Sequence, residues 1–345
     1  MTDRAAMSQP TPPPRLHLPS RRRWSPLLVM IVASLAFTAC AQHASSSAEQ
    51  PAPTLPTPAE AIAPVLPVTV TGDDRVQATV TTIDRIVPLA GSLAEVVFGL
   101  GLGGHVVARD VTATFAEVRD RPIVTKGHDV SAESVLSLAP SVVLAQTDTG
   151  PPEALAQIRA AGVPVIVFAQ PASVAHITER IEAVAEALGV PPAGARLAGE
   201  IDDQLRAELE RVPAGRAQPK VAFLYLRGQA GVSLIGGPGS GADSMIAAAG
   251  GIDAGTAIGL SRPFTPITSE SLVEAAPDII LMTTTGLDSV GGIDGLLAVP
   301  GVAQTPAGRA RRVVTVEDGR LYSFGPRTPE VIGELVDRFF EDPFS

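Results

Sequence analysis

One pattern occurs twice in this 345-residue chain and limits what it can fold into. Ser131–Leu144 (SAESVLSLAPSVVL) aligns without a gap on Thr268–Leu281 (TSESLVEAAPDIIL). Each copy reads as a short capped helix, a proline stop and a buried strand. Ser131 and Thr268 are hydroxyl residues suited to helix N-caps. Glu133 and Glu270 follow in the first turn, where the helix dipole favours negative charge. Pro140 and Pro277 end the helices, and β-branched runs follow. Such units are common in α/β proteins, so two of them can arise independently. One copy in each half nevertheless points to two similar lobes.

The rest of the chain fits that organisation. Arg85–Leu89 reads as a strand, and Gly91–Glu95 opens a helix that Ser92 is placed to cap. His105–Ala108, Val142–Ala145 and Val163–Val167 are short apolar runs, as expected for parallel strands buried on both faces. Helical periodicity fills the gaps between them. Ile177–Leu188 is one amphipathic segment, and Gly189-Val190-Pro191-Pro192 interrupts it. A second segment follows, with Leu197, Ile201, Leu205 and Leu209 at four-residue spacing. The expected class is therefore α/β. It has two Rossmann-like lobes, each a mostly parallel sheet flanked by helices, joined by one long rigid interlobe helix. The expected boundaries are 81–190 for the N-terminal lobe, 191–212 for the helix and 213–345 for the C-terminal lobe.

The first forty residues read differently. Arg21, Arg22 and Arg23 precede an apolar run over Leu27–Phe37, too short to span a bilayer comfortably. Small residues then lead to Cys40, the chain's one cysteine. This is the plan of an export signal, and Phe37-Thr38-Ala39-Cys40 resembles a bacterial lipoprotein site. Residues 1–40 are thus expected to be a lipoprotein signal peptide with Cys40 lipidated, although Phe37 replaces the usual aliphatic residue. Residues 41–80, rich in Ala, Pro, Ser and Thr, are expected to form a flexible tether. The protein would then be exported and lipid-anchored at the outer face of the cell membrane.

Composition narrows the function. A net charge of −10 argues against nucleic acid as partner. One cysteine allows no intrachain disulfide and no cysteine-based metal cluster. The chain shows no Gly-x-Ser-x-Gly elbow and no His-Glu-x-x-His helix, so an exported enzyme is the remote alternative. The five histidines are too few and scattered for a zinc or manganese carrier.

At this point the chain resembles the helical-backbone class of periplasmic binding proteins, which serve cobalamin, siderophore and haem importers. The carrying features are Arg85-Ile86-Val87 followed by Gly91–Glu95, the paired helix–strand units and the long mid-chain helix. The resemblance covers about residues 82–340. It implies an ABC permease with its ATPase as partner, a monomeric carrier and no catalytic cofactor. It also implies that Glu133 and Glu270 dock on permease arginines, although a first-turn glutamate can equally serve the helix dipole alone.

Within the class the chain is most similar to haem-uptake lipoproteins of Gram-positive bacteria. Lys126-Gly127-His128-Asp129-Val130 and Val221–Gly228 carry this narrower resemblance. It implies His128 and Tyr225 as axial ligands of haem iron, with Arg227 supporting the tyrosinate. The residues fit that chemistry. His128 precedes a helix in a loop, and Tyr225 and Arg227 share one face near the C-terminal end of a strand. A free phenol ionises near pH 10, and ferric iron or a guanidinium favours its phenolate. Each residue also has an ordinary reading, as an exposed loop histidine and a core tyrosine. Arg262 and Arg327 are candidate contacts for haem propionates, and Gly236–Gly241 is a candidate cleft turn. A ferric siderophore or a cobalamin is the alternative cargo.

Overall fold

The computed structural model describes residues 63–126 and 129–341. Its first elements are β1 (Val68–Thr71) and β2 (Gln77–Val80), an antiparallel hairpin in the register Val68↔Val80. The tether expected to reach residue 80 therefore gives way to ordered structure before that point. The physical reason is a short period-two pattern: Ala78 and Val80 are buried while Gln77 and Thr79 face solvent. Arg75, at φ +63°, closes the turn by donating its N–H to the Gly72 carbonyl.

The N-terminal lobe follows as β3 (Ile86–Pro88), α1 (Gly91–Gly99), β4 (Thr125–Lys126), β5 (Asp129–Val130), α2 (Ala132–Ser137), β6 (Val142–Gln146), α3 (Pro152–Ala160) and β7 (Val165–Phe168). Strands β3, β6 and β7 lie side by side and parallel, and every residue in them is buried. Val87, Val143, Val165 and Val167 enter one core, and Ile86, Leu144, Ile166 and Phe168 the other. The expected strand at His105–Ala108 is reduced to a single bridge between Val106 and Ile86. Gly103–His105 forms one tight helical turn instead, at a point where a Cβ on Gly103 would lie 2.4 Å from the Phe98 ring.

Helices α4 (Ile177–Ala187) and α5 (Pro191–Glu210) come next. Gly189, at φ +72°, breaks the chain between them, and Pro191 and Pro192 start α5 where no intrahelical N–H is needed. The 20 residues of α5 extend about 30 Å at 1.5 Å per residue. Its buried stripe of Ala193, Leu197, Ile201 and Leu205 continues the core, and Leu209 is exposed.

The C-terminal lobe comprises β8 (Lys220–Arg227), β9 (Val232–Gly236), α6 (Ala242–Ala248), β10 (Ile252–Asp253), α7 (Ala254–Ala257), β11 (Phe264–Pro266), α8 (Ser269–Ala275), β12 (Ile279–Thr283), α9 (Thr284–Ser289), α10 (Gly292–Leu297), α11 (Pro306–Ala310), β13 (Val313–Val316), α12 (Asp318–Leu321) and α13 (Thr328–Phe340). Its sheet runs β11-β9-β8-β12-β13, with β10 also on β8. The β8, β10, β12 and β13 pairings are parallel, whereas β9 is antiparallel to both β8 and β11.

Both repeated units fold alike. Ser131 caps α2 and Thr268 caps α8, each accepting the N–H three residues on. The residue before each proline, Ala139 or Ala276, leaves the helix in left-handed backbone at φ +44° and +40°, and the proline after it cannot continue the helix.

A buried ion pair joins the lobes. Arg327, just before α13, donates to Glu95 of α1 at 2.6 Å, and their side chains are 2% and 0% exposed. Ser323 adds a 3.3 Å hydrogen bond to the same carboxylate. Burial pushes the Glu95 carboxyl above its ordinary value, and Arg327 opposes that rise. Arg327 is consequently spent on Glu95 and is not a propionate contact, contrary to expectation. Arg327→Ala strands a buried carboxylate and is expected to cost about 3–5 kcal/mol in a urea unfolding titration. Adding Glu95→Ala should recover part of that loss.

Candidate functional site

The carboxyl ends of the strands open on a cavity of about 560 Å³, within the range of small-molecule sites. The N-terminal lobe contributes the turn after β3, Gln146 at the end of β6 and the segment after β7. The C-terminal lobe contributes Tyr225 and Arg227 of β8, Phe264 of β11 and the Asp318–Ser323 segment. Gly239, Ser240 and Gly241 also line it, as expected of the glycine-rich turn.

Tyr225 and Arg227 lie two residues apart on β8 and both face the cavity, because strand side chains alternate. The guanidinium carbon of Arg227 stands 4.5 Å from the centroid of the Tyr225 ring, over its face. Three partners hold it there. Arg227 donates to the Leu226 carbonyl at 3.0 Å, to Thr283 Oγ1 at 3.3 Å and to Asp318 Oδ1 at 2.7 Å. The other carboxylate oxygen of Asp318 accepts the Thr285 N–H at 3.2 Å. Asp318 thus fixes the cation beside the phenol. Phe264 meets Tyr225 edge-on at 5.9 Å.

Tyr322 is the chain's other tyrosine and lines the same cavity. Its ring meets Phe223 edge-on at 5.7 Å. Its hydroxyl is buried and has no hydrogen-bond partner. Burial pushes this phenol above its ordinary value; Tyr225 and Asp318 raise it further, and Arg227 opposes them.

On the facing wall, Ser92 does not cap α1; the N-cap is Ala90, without a side-chain bond. Ser92 is buried instead and accepts from Gln146 Nε2 at 3.0 Å and from Arg180 Nη2 at 3.1 Å. Burial lowers the Arg180 guanidinium to about 10, which still leaves it charged at neutral pH. Asp110, another lining residue, accepts from Thr112 and, at 2.6 Å, from Thr125 Oγ1. Thr125 begins the β4–β5 hairpin, where Lys126 pairs with Asp129. Gly127 and His128 connect those strands in sequence, and His128 lies outside the described residues, as does Cys40.

Glu133 and Glu270 are both exposed in the first turns of the equivalent helices α2 and α8. Arg262 is exposed and is not a lining residue, although Pro263 and Phe264 beside it are. Asp318, Asp110 and Tyr322 went unrecognised in the sequence. Only Tyr322 carried a signal, as one of just two tyrosines. Among the described residues, no group of three or more His, Cys, Asp and Glu side chains is placed to hold a metal ion, and no helix is long and apolar enough to cross a membrane.

Residues 86–318 match the family model described as periplasmic binding protein. The chain belongs to the periplasmic binding protein family. Its architecture is close to that of solved relatives. The periplasmic heme-binding protein RhuT of Roseiflexus sp. RS-1, in apo form, is 42% identical with a TM-score of 0.72, covering 75% of this chain and 99% of its own. The heme binding protein HmuT is 34% identical with a TM-score of 0.76, covering 83% and 94%. HmuT has also been solved with a histidine, a tyrosine or an arginine changed to alanine, the latter two positions lying two residues apart. Among curated proteins, the uncharacterized ABC transporter substrate-binding lipoprotein YvrC of Bacillus subtilis (strain 168) is 25% identical over 286 residues, 81% of this chain and 88% of YvrC. The relatives RhuT and HmuT are described as heme-binding proteins, and YvrC as a transporter's substrate-binding lipoprotein.

Alkaline titration followed by phenolate absorbance checks the buried phenol. Tyr322→Phe is expected to lose a component that ionises above the usual tyrosine range. An unchanged curve would contradict the burial.

Proposed function

We propose that this periplasmic binding protein captures haem in the cleft between its lobes and delivers it to an ABC permease driven by its ATPase. The observation that carries the reading is Tyr225, set in a cavity of about 560 Å³ with the Asp318-anchored guanidinium of Arg227 over its ring. Tyrosine is a haem ligand, and a fixed positive charge beside it favours the phenolate that ferric iron prefers. The cation stands over the ring face rather than on a bond to the phenol oxygen, so its support is electrostatic. His128 is the second axial ligand; it lies between Lys126 and Asp129 in sequence, next to a hairpin that Asp110 anchors through Thr125. The haem-binding relatives RhuT and HmuT support this choice of cargo. So does the lining: Arg227 is the only cationic side chain among the described lining residues, a poor match for an anionic ferric siderophore.

Residues 1–40 serve as a lipoprotein signal, with Cys40 as the lipidated residue. The body begins at the β1–β2 hairpin, works as a monomer and docks through Glu133 and Glu270, which occupy the same place in two equivalent units. α5 is the backbone between lobes.

An absorbance titration of residues 63–345 with hemin is expected to give a saturable Soret band near one equivalent. Tyr225→Ala and His128→Ala should each change the band and weaken binding at least tenfold. Unsaturating absorbance in the wild type would overturn the haem assignment. Docking is tested separately. The double variant Glu133→Arg/Glu270→Arg should bind hemin like the wild type yet lose haem uptake in cells that depend on this importer.

A further inference from the structure

The segment 318–327 belongs to the C-terminal lobe and bears on the N-terminal lobe at two places. At its far end, Ser323 and Arg327 hold the Glu95 carboxylate of α1. At its near end the contact is made by bare backbone. A Cβ on Gly319 would lie 2.4 Å from the Thr112 carbonyl oxygen and 2.7 Å from Thr114 Oγ1. A Cβ on Gly91, the first residue of α1, would lie 2.7 Å from the same carbonyl oxygen. The Thr112 peptide is thus held between two glycines, one from each lobe, and all three residues line the cavity.

Each side of this contact leads to a wall of the cleft. On the N-terminal side, Asp110 accepts the Thr112 N–H at 2.7 Å and the Thr125 hydroxyl at 2.6 Å, which ties the contact to the β4–β5 hairpin. On the C-terminal side, Gly319 follows Asp318, which holds Arg227 at 2.7 Å, and Arg227 stands 4.5 Å from the centroid of the Tyr225 ring. The anchor of Arg227 is therefore registered against the facing lobe as well as against its own sheet. Backbone packed this closely has no side chain that can rotate out of the way, so a displacement on one side is passed to the other.

We propose that Gly319 is a positioning residue: its lack of a side chain lets the lobes sit at the spacing at which Asp318 sets Arg227 over Tyr225. This rests on Tyr225 as a haem ligand. It adds a coupling to that reading. Whatever widens the cleft at Thr112 also displaces the guanidinium, so the spacing of the lobes and the grip on the cargo change together. Helix propensity alone gives the opposite expectation, since Gly319 lies in the short helix α12 and alanine is favoured over glycine there.

Hemin titrations compare the wild type with Gly319→Ala and with Gly199→Ala, a glycine of α5 whose Cβ would meet nothing within 4 Å. Gly319→Ala is expected to bind hemin roughly tenfold more weakly, the scale of an overpacked contact. Its tyrosinate-to-iron charge-transfer band should move as well, and Gly199→Ala should change neither. Gly91→Ala presses on the same carbonyl from the other side and should act in the same direction, so either variant carries the test. In an Asp318→Ala background, Gly319→Ala should add little, because its route to Tyr225 is already cut. Unchanged affinity and band in Gly319→Ala and Gly91→Ala would overturn the proposal while leaving Tyr225 as ligand. So would a lower melting point with an unchanged band, which makes Gly319 a packing residue only, or a loss that adds in full to that of Asp318→Ala. A wild type without a saturable band would overturn the haem reading, and this inference with it.

Discussion

Glu95 and Arg327 are 232 residues apart in sequence and meet with almost no exposure to water. Neither tolerates that environment alone, since an unpaired buried charge is far more costly than the pair. Each lobe therefore supplies half of an arrangement that is stable only when both lobes are present. The surrounding chain is shaped to fit it. A side chain at Gly325 would place its Cβ 2.7 Å from the Glu95 carboxylate, and Arg327 also lies 5.4 Å from the Phe115 ring. The cleft exists where it does because the lobes are held here on one side and by α5 along their length.

The same logic recurs at smaller scale around the ligand wall. Asp318 orders Arg227, Arg227 covers Tyr225, and Asp110 holds the base of the hairpin that leads to His128. Both carboxylates line the cavity, and each is bonded to another lining residue or to the hairpin. They fix the orientation of their neighbours, the kind of role outer-shell partners play at metal sites generally. Ser92, gripped by Gln146 and Arg180, gives the opposite wall a comparable rigidity.

What the sequence disclosed follows periodicity and local chemistry. The paired Ser131 and Thr268 units, the fully buried β6 and β12, and the stripe of α5 were legible because pattern and burial coincide over many residues. Tyr225 and Arg227 were singled out through the resemblance of Val221–Gly228, and strand alternation placed residues two apart on the same wall. Arg327 was misread because its partner lies on a helix in the other lobe, and nothing local marks a cross-lobe ion pair. Ser92 was misread because a serine at a helix start usually caps it, whereas here a buried arginine claims the hydroxyl. The β1–β2 hairpin was hidden within Pro- and Thr-rich composition, its alternation only four residues long per strand. Asp318 and Asp110 looked like any loop acids; only the fold shows which donors they face.

The long α5 helix, with the ionic clasp beside it, has a consequence for selectivity that precedes any chemistry. A helix of 20 residues bends little, so the two walls cannot swing far apart to accommodate a bulky guest. The cleft between them is then shaped more by the fold than by its guest: its lining is laid down before any cargo arrives.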